Sequence, residues 1–269
     1  MLVGQMGRGT VITSSQNPKI KLVRALMGRA KERREAGAFV VEGVRLVEEA
    51  ETRHWSFRFA LYDGSLNARG SSLVEQLLSR GIDVEEVSES LMKSLSDTET
   101  PQGILSVLEL SQSSIPDSPD FVLIPDRIRD PGNLGTLLRS AAGAGVQAAF
   151  LPPETTDAFA PKVVRSGMGA HFRLPVQSMK WEKIRRQIEG LPVYLADMDG
   201  QSCWETDLRG PLALIVGSEA EGASEEAREL ATQKISIPMP GDIESLNAAI
   251  AGSVLMFEVV RQRSVQSEL

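Results

Sequence analysis

The chain has 269 residues, of which 42% are hydrophobic and 24% are charged, and its formal net charge is −7. This composition excludes a disordered low-complexity chain, and the acidic balance excludes nucleic-acid binding through bulk positive charge, although not through a local basic patch. Aromatic residues make up 5% of the chain, which argues against a broad base-stacking surface.

The single cysteine, Cys203, excludes an internal disulfide framework and a cysteine-based zinc site, so we interpret it as a small buried residue. The histidines His54 and His171 lie outside any HExxH pattern and are interpreted as structural or surface residues. No metal site is predicted. The N-terminus lacks the apolar stretch of a signal peptide and no apolar window is long enough to span a bilayer, so we expect a cytoplasmic protein without membrane contact.

The N-terminal half opens with Asn17-Pro18 and a basic segment, residues 19–34, whose apolar residues recur at helical spacing. This pattern predicts one amphipathic helix with a basic face, and a merely solvated face is the alternative interpretation. The segments that follow predict a small α/β domain. Its predicted strands are residues 39–41, 57–61, 84–87 and 104–108, and its predicted helices are residues 44–50, 72–79 and 90–95.

A cluster of Ser, Pro and Asp at residues 111–120 predicts a boundary between a first domain, 1–112, and a second, 119–269. In the second domain, apolar strands separated by helices favour a mostly parallel sheet covered on both faces. Ligands of such sheets bind beyond the carboxyl ends of the strands, so the segments that follow the strands should carry the chemistry. The predicted strands are residues 121–124, 148–151, 193–196, 213–216 and 235–237, and the predicted helices are residues 135–144, 181–189, 225–230 and 246–261.

Three segments follow strands in this way, at residues 125–145, 217–224 and 238–263. None contains the GxxxxGK[ST] phosphate loop or the GxSxG hydrolase elbow. The run GAGVQA at 143–148 has the letters of a dinucleotide fingerprint, but it follows a helix and precedes a strand. That order is the reverse of the one required, which excludes an NAD-type oxidoreductase.

In the first segment, Asn133 is predicted either to cap the following helix or to donate a side-chain amide hydrogen bond. Arg139 suits an anionic substrate such as a phosphate, with a surface ion pair to Asp126 or Asp130 as the alternative. In the third segment, Ser245 is predicted to cap a helix, and the small residues after it suit tight packing against another helix or chain.

The second segment, GSEAEG at 217–222, is rich in glycine and acidic residues. Its glycines allow close approach of the backbone to a ligand, and its carboxylates tolerate a cationic ligand or a ribose hydroxyl. A solvated turn is an equally good interpretation of this segment by itself.

Taken in order, the motif at 133–139, IVGSEAEG and ISIPMPGDIESLNAAIAG resemble those of the SpoU/TrmH family of RNA ribose 2'-O-methyltransferases in the SPOUT superfamily. NPKIKLVRAL and AFVVEGVRLVEEA resemble the family's L30e-like substrate-binding domain. The resemblance implies an α/β protein with a C-terminal SPOUT domain, containing a mostly parallel sheet and a trefoil knot, and a smaller N-terminal L30e-like domain. It also implies a homodimer whose active site draws on both subunits.

The resemblance implies S-adenosylmethionine as methyl donor and a ribose 2'-hydroxyl of structured RNA as acceptor, with ribosomal RNA preferred. Transfer RNA, a base-methylating SPOUT enzyme and an RNA-binding protein without activity are the alternatives. Ala220 stands where the family commonly has glycine. By motif position, the cofactor contacts are Gly217, Ile237 and Leu246, and the catalytic and substrate-facing set is Asn133, Arg139, Glu219, Ser245 and Asn247.

With this resemblance, the basic N-terminal segment is interpreted as a face that binds RNA phosphates. Arg139 is open to two roles, because a guanidinium is almost always protonated. It either acts transiently as the base, or it only orients an RNA phosphate and polarises the hydroxyl. The predicted RNA contacts are Lys19, Lys21, Arg24, Arg33 and Arg34.

Overall fold

A computed structural model describes residues 11–96, 98, 101–110, 114–219, 221–241 and 245–265 of the chain. The chain divides into two compact units, Met1–Ser111 with Phe159–Pro161, and Gln112–Ala158 with Lys162–Leu269. The division after Ser111 lies in the predicted boundary segment, whose residues 111–113 are outside the described residues. Residues 159–161 belong to the first unit although the residues on both sides of them belong to the second. The two units are therefore not separated by one boundary in the sequence.

The first unit is built on a four-stranded sheet of order β1-β4-β2-β3, in which β4 runs antiparallel to β1 and β2, and β3 runs parallel to β2. The four predicted strands and three predicted helices of this unit are confirmed, with ends that differ by up to four residues. The strands are β1 Ala38–Glu42, β2 Phe57–Tyr62, β3 Val84–Glu86 and β4 Ile104–Glu109, and the helices are α1 Pro18–Gly28, α2 Ala30–Ala36, α3 Val44–Thr52, α4 Ala68–Ser79 and α5 Glu89–Leu95.

The prediction of one continuous helix over residues 19–34 is wrong. Helix α1 ends at Gly28, and Arg29 is extended, with φ −93° and ψ 144°, before α2 begins. Arg33 of α2 reaches back, and its Nη1 donates to the carbonyl of Leu26 at 2.6 Å and to that of Gly28 at 3.2 Å. Arg33 therefore satisfies carbonyl groups that the end of α1 leaves without helical partners.

The second unit is built on a six-stranded sheet of order β10-β8-β9-β5-β6-β7, in which every neighbouring pair is parallel. This confirms the predicted parallel sheet and its five predicted strands; β7 and α7 were not predicted. The strands are β5 Phe121–Pro125, β6 Ala148–Leu151, β7 Val176–Ser178, β8 Val193–Ser202, β9 Leu212–Val216 and β10 Gln233–Ser236, and the helices are α6 Pro131–Gly143, α7 Pro161–Gly167, α8 Trp181–Gln187, α9 Glu225–Leu230 and α10 Ala248–Val265.

The central strands β5, β6 and β9 are buried along their whole length, as expected for a sheet covered on both faces. From β5 the chain continues to β6 on one side, while β9 lies on the other side. The loops that follow β5 and β9 therefore diverge and leave a crevice at the carboxyl edge of the sheet.

Helix α10 packs against α6 and β9 beside this crevice. Gly252 permits the close approach, because a Cβ atom there would overlap Leu137 and lie 3.1 Å from Val216 Cγ2. The predicted trefoil knot remains a prediction, since residues 242–244, between β10 and α10, lie outside the described residues. Within the described ranges, no helix is long and apolar enough to cross a bilayer.

Candidate active site

A cavity of about 350 Å³ opens at the carboxyl edge of the second sheet, which is a usual volume for a small-molecule site. The predicted cofactor contacts Gly217, Ile237 and Leu246 all line it, together with Glu219 and Ser245 of the predicted catalytic set. The segments that follow β9 and β10 thus meet around one space, as their positions after parallel strands predict.

The loop after β9 closes on itself at the cavity wall. The Ser218 amide donates to the Gly222 carbonyl at 3.1 Å, and the Gly222 amide donates back at 3.0 Å. A Cβ atom on Gly217 would lie 2.8 Å from the Ala223 amide nitrogen and 2.9 Å from the Gly222 carbonyl carbon. Because both neighbours are backbone atoms, only glycine fits at position 217 without moving the loop. Ala220 lies outside the described residues.

Asn133, Glu219 and Asn247 form a polar cluster that joins the three segments. Glu219 Oε1 accepts from Asn133 Nδ2 at 2.9 Å, from Asn247 Nδ2 at 2.6 Å and from the Ala248 amide at 2.9 Å. Asn247 Nδ2 also donates to Asn133 Oδ1 at 3.1 Å. The Glu219 carboxylate lies at the first turn of α10, where a negative charge is stabilised by the helix dipole. The cluster fixes both amide groups at the crevice.

The helix caps differ from the predicted ones. Asp130 caps α6, because its side chain accepts from the Asn133 amide at 2.8 Å. Asn247 caps α10, because its Oδ1 accepts from the amides of Ala249 and Ile250 at 3.0 and 3.2 Å. The predictions that Ser245 caps α10 and that Asn133 caps α6 are therefore wrong, whereas the alternative for Asn133, a donated amide hydrogen bond, is confirmed.

Arg139 lies exposed on α6 and does not line the cavity. It is six residues from Asn133 in the same helix, which places the two side chains about 120° apart around the axis. Among the described residues, Arg139 forms no ion pair, so the alternative pairing with Asp126 or Asp130 is not observed. Within one copy of the chain, the structure does not bring Arg139 to the polar cluster.

The middle of β8 forms a cavity wall that the sequence patterns do not indicate, and its lining residues are Ala196, Asp197 and Met198. The hydrogen bond from Lys234 is the main cause that lowers the pKa of Asp197, and the two groups are 2.8 Å apart. The sequence pattern predicts this strand only to residue 196, whereas β8 continues to Ser202. No group of side chains suited to hold a metal ion occurs in the described part of the chain.

The predicted basic face is only partly available to a ligand. Arg33 is 3% exposed and its guanidinium is occupied by the carbonyls at the end of α1, so its prediction as an RNA contact is wrong. Lys19 Nζ is paired with Asp83 and, at 3.0 Å, with Glu85. The other three predicted contacts are exposed, and they are Lys21, Arg24 and Arg34.

Three titratable residues without a predicted chemical role are either buried or exposed at the surface. His171 is buried, its Nε2 lies 2.7 Å from the Ala158 carbonyl, and burial lowers its pKa to about 4. Cys203 is buried, and burial raises its pKa to about 11, so it stays a thiol at neutral pH. His54 lies exposed in a turn. The structural and surface interpretations of these residues are confirmed.

A small-molecule cavity at the carboxyl edge of a parallel sheet lies beside amide and carboxylate groups from three segments that follow strands. This arrangement defines an α/β protein that binds a small molecule and has the polar groups of an enzyme. The chain belongs to the SpoU rRNA Methylase family, whose model matches residues 120–257. The model of the MRM3-like substrate binding domain matches residues 17–106.

The chain is similar to 23S rRNA ribose methyltransferases over nearly its whole length. It is 33% identical to the 23S rRNA (uridine(2479)-2'-O)-methyltransferase of Streptomyces viridochromogenes, covering 93% of this chain and 92% of the relative. It is 33% identical to the 23S rRNA (guanosine(2553)-2'-O)-methyltransferase RlmP of Bacillus subtilis, covering 92% and 98%.

The fold is also similar to that of a solved methyltransferase. The crystal structure of the SpoU methyltransferase AviRb from Streptomyces viridochromogenes, in complex with AdoMet, matches with a TM-score of 0.81 and 30% identity. The match covers 93% of this chain and 100% of that one.

Proposed function

We propose that this protein transfers the methyl group of S-adenosylmethionine to a ribose 2'-hydroxyl of ribosomal RNA. The observation that carries the proposal is the cavity beside the Asn133–Glu219–Asn247 cluster, in a chain of the SpoU rRNA Methylase family. The two relatives named above are methyltransferases for the 2'-oxygens of different nucleosides, uridine and guanosine, and each is 33% identical to this chain. Similarity at this level supports the ribose as acceptor and leaves the nucleotide open.

The residues around the cavity fit S-adenosylmethionine. Val216, Ile237 and Leu246 supply apolar lining for a flat ring, and the bare backbone at Gly217 allows close contact. Glu219 and Asp197 place carboxylates in the lining, and these favour a cationic ligand over an anionic one. When bound, S-adenosylmethionine supplies an electrophilic methyl group on a positively charged sulfur.

The reaction requires that the ribose 2'-oxygen form a new C–O bond while the C–S bond breaks and the hydroxyl proton leaves. Both hydrogens of Asn247 Nδ2 are used within the cluster, where they hold Glu219 and Asn133. Asn133 Nδ2 donates one hydrogen to Glu219 and has a second hydrogen for a ribose or phosphate oxygen at the crevice. Ser245 lies exposed at the cavity rim, where its hydroxyl is available to the RNA. Alignment of two bound reactants in this way lowers a barrier by about 7–11 kcal/mol.

We propose that the protein acts as a homodimer in which Arg139 completes the site of the partner copy. Ile250 and Phe257 are 53% and 50% exposed, and their spacing of seven residues places them on one face of α10. Helix α6, which carries Arg139, packs beside α10. A second copy on this surface covers apolar side chains that one copy leaves in water. It also supplies a guanidinium that orients an RNA phosphate and polarises the hydroxyl, with transient deprotonation as the alternative role.

The domain 1–112 is proposed to bind the RNA, and the domain 119–269 is proposed to carry the reaction, in the cytoplasm. The exposed residues Lys21, Arg24 and Arg34 supply positive charge for phosphates on an otherwise acidic protein. Transfer RNA is the alternative substrate.

The test supplies methyl-labelled S-adenosylmethionine with ribosomal RNA or transfer RNA from cells lacking the gene. We expect the labelled methyl group to appear in 23S ribosomal RNA. Label confined to transfer RNA contradicts the proposed substrate, and absence of label in both contradicts the proposed activity.

A further inference from the structure

Asp126, at the carboxyl end of β5, is a buried carboxylate to which the chemistry above assigns no role; it is 1% exposed. Its Oδ2 accepts a 2.6 Å hydrogen bond from the Ser224 amide, and its own amide donates to the Val216 carbonyl at 2.9 Å. Its Oδ1 meets no hydrogen-bond donor within the described ranges. Asp126 is thus bonded to both ends of the loop that follows β9.

The loop between these two attachment points lines the cavity through Gly217, Gly222 and Ala223. The backbone at 222–223 packs on Gly217 so closely that a Cβ atom has no room. Ser224 continues from this backbone into α9, where its Oγ accepts from the Ala227 amide at 3.2 Å. A hydrogen bond at Ser224 therefore fixes the position of this cavity wall.

Fold stability does not explain an ionised carboxylate at this position. Burial raises the pKa of Asp126, and Glu226 adds to the rise, while the hydrogen bonds of Ser224 and the charge of Arg127 oppose it. A carboxyl group whose folded-state pKa is raised contributes stability below its unfolded pKa and loses it as pH rises through the folded value. The charged form of Asp126 therefore costs folding free energy relative to the neutral form.

We propose that Asp126 is a positioning residue for S-adenosylmethionine, which holds the loop at 217–223 through Ser224 in the conformation that receives the cofactor. The inference rests on the proposed function, in which this cavity takes S-adenosylmethionine. An ionised acceptor bonds an amide about twice as strongly as a neutral one, so the charge improves the hold on the loop.

The test compares Asp126→Asn with the wild-type full chain by calorimetry with S-adenosylmethionine. We expect binding to weaken about three- to tenfold, because a charge-assisted hydrogen bond becomes a neutral one. The melting temperature of the ligand-free variant should stay equal or rise, since a buried charge is removed. Asp126→Ala, which removes the acceptor, should weaken binding further.

Asp63 provides a matched control in the other unit. It is also buried, and its Oδ1 accepts from the Ser65 amide at 2.9 Å and the Ser65 hydroxyl at 2.6 Å. Asp63→Asn makes the same chemical change at a residue that does not line the cavity, and it should leave the affinity for S-adenosylmethionine unchanged.

A pH series adds a measurement that a purely structural role does not move. The charges that act on Asp126 are those of Arg127 and Glu226, which both variants and wild type share. The affinity of the wild type should fall as acid protonates Asp126, and the difference between wild type and Asp126→Asn should vanish there.

Three outcomes are distinguishable. Equal affinity of wild type and Asp126→Asn at every pH overturns the inference. A lowered melting temperature that accounts for the weaker binding assigns Asp126 to folding and also overturns it. Failure of the wild type to bind S-adenosylmethionine contradicts the proposed function instead.

Discussion

Gly217→Ala is the substitution whose effect on the cofactor site follows most directly from the geometry. The added methyl group would lie 2.8 Å from the Ala223 amide nitrogen and 2.9 Å from the Gly222 carbonyl carbon. Neither is the end of a flexible side chain, so the loop itself must open. Opening separates the Ser218 and Gly222 backbones, which are joined by hydrogen bonds of 3.1 and 3.0 Å.

The loop can respond to the added methyl group in two ways, and the one with the smaller free-energy cost sets the size of the effect. Overpacking of a closed site costs about 1–3 kcal/mol. Breaking the two backbone hydrogen bonds costs about 1 kcal/mol each, which lies within the same range. Because the free loop relaxes and the ligand must restore its shape, the cost falls on binding. A loss of about 1–3 kcal/mol weakens the affinity for S-adenosylmethionine about 5- to 150-fold.

Calorimetry with S-adenosylmethionine measures this loss, and Gly241→Ala is its control. Gly241 lies on the segment between β10 and α10, where a Cβ atom meets no atom of the described residues within 4 Å, so alanine there should bind like wild type. The reasoning is refuted if folded Gly217→Ala binds S-adenosylmethionine as tightly as Gly241→Ala.

Three further variants test the proposed roles of the arginines and the basic face. Arg139→Ala should abolish methyl transfer and leave binding of S-adenosylmethionine intact, because Arg139 lies outside the cavity of its own chain; full activity would remove its catalytic role. Replacing Lys21, Arg24 and Arg34 by alanine should weaken RNA binding and make the slope of log affinity against log salt shallower by about one for each phosphate no longer neutralised; an unchanged salt titration would contradict an RNA-binding face. Arg33→Ala should lower the free energy of unfolding by about 1.5–3 kcal/mol, because it removes charged donors from two carbonyls, whereas exposed Arg34→Ala should change it by less than about 0.5 kcal/mol; equal denaturation midpoints would contradict the capping role.

The sequence predicts the parallel sheet and the assembly of the cavity because both depend on local patterns. Runs of apolar residues identify the buried strands, and the carboxyl ends of parallel strands meet at one edge. Gly217, Ile237 and Leu246 follow two such strands and line one cavity. The strand β7, with three residues at the edge of the sheet, is too short to give a periodic signal.

Two of the wrong predictions, the cap of α6 and the single helix over residues 19–34, conflict with residues that are visible in the sequence. Asp130-Pro131 is a typical start of a helix, with an acidic cap and a proline in the first turn, and it argues against Asn133 as the cap. Gly28 marks the end of α1 inside the basic segment. A helix that ends at this glycine gives the observed division between α1 and α2.

Other features depend on tertiary contacts that no local pattern contains. Arg33 is buried because α2 turns back toward the end of α1, and its neighbour Arg34 is exposed. Asp126 is buried because the loop after β9 folds over it, 98 residues further along the chain. Charged residues are mostly exposed, so composition predicts the opposite for both.

The central claim is that the methyl group goes to a ribose oxygen, and nucleoside mass spectrometry of 23S ribosomal RNA treated with the protein and S-adenosylmethionine tests it most directly. We predict one new 2'-O-methylated nucleoside, with the added mass on the sugar fragment and none in RNA treated with Arg139→Ala. Added mass on the base fragment would contradict the claim.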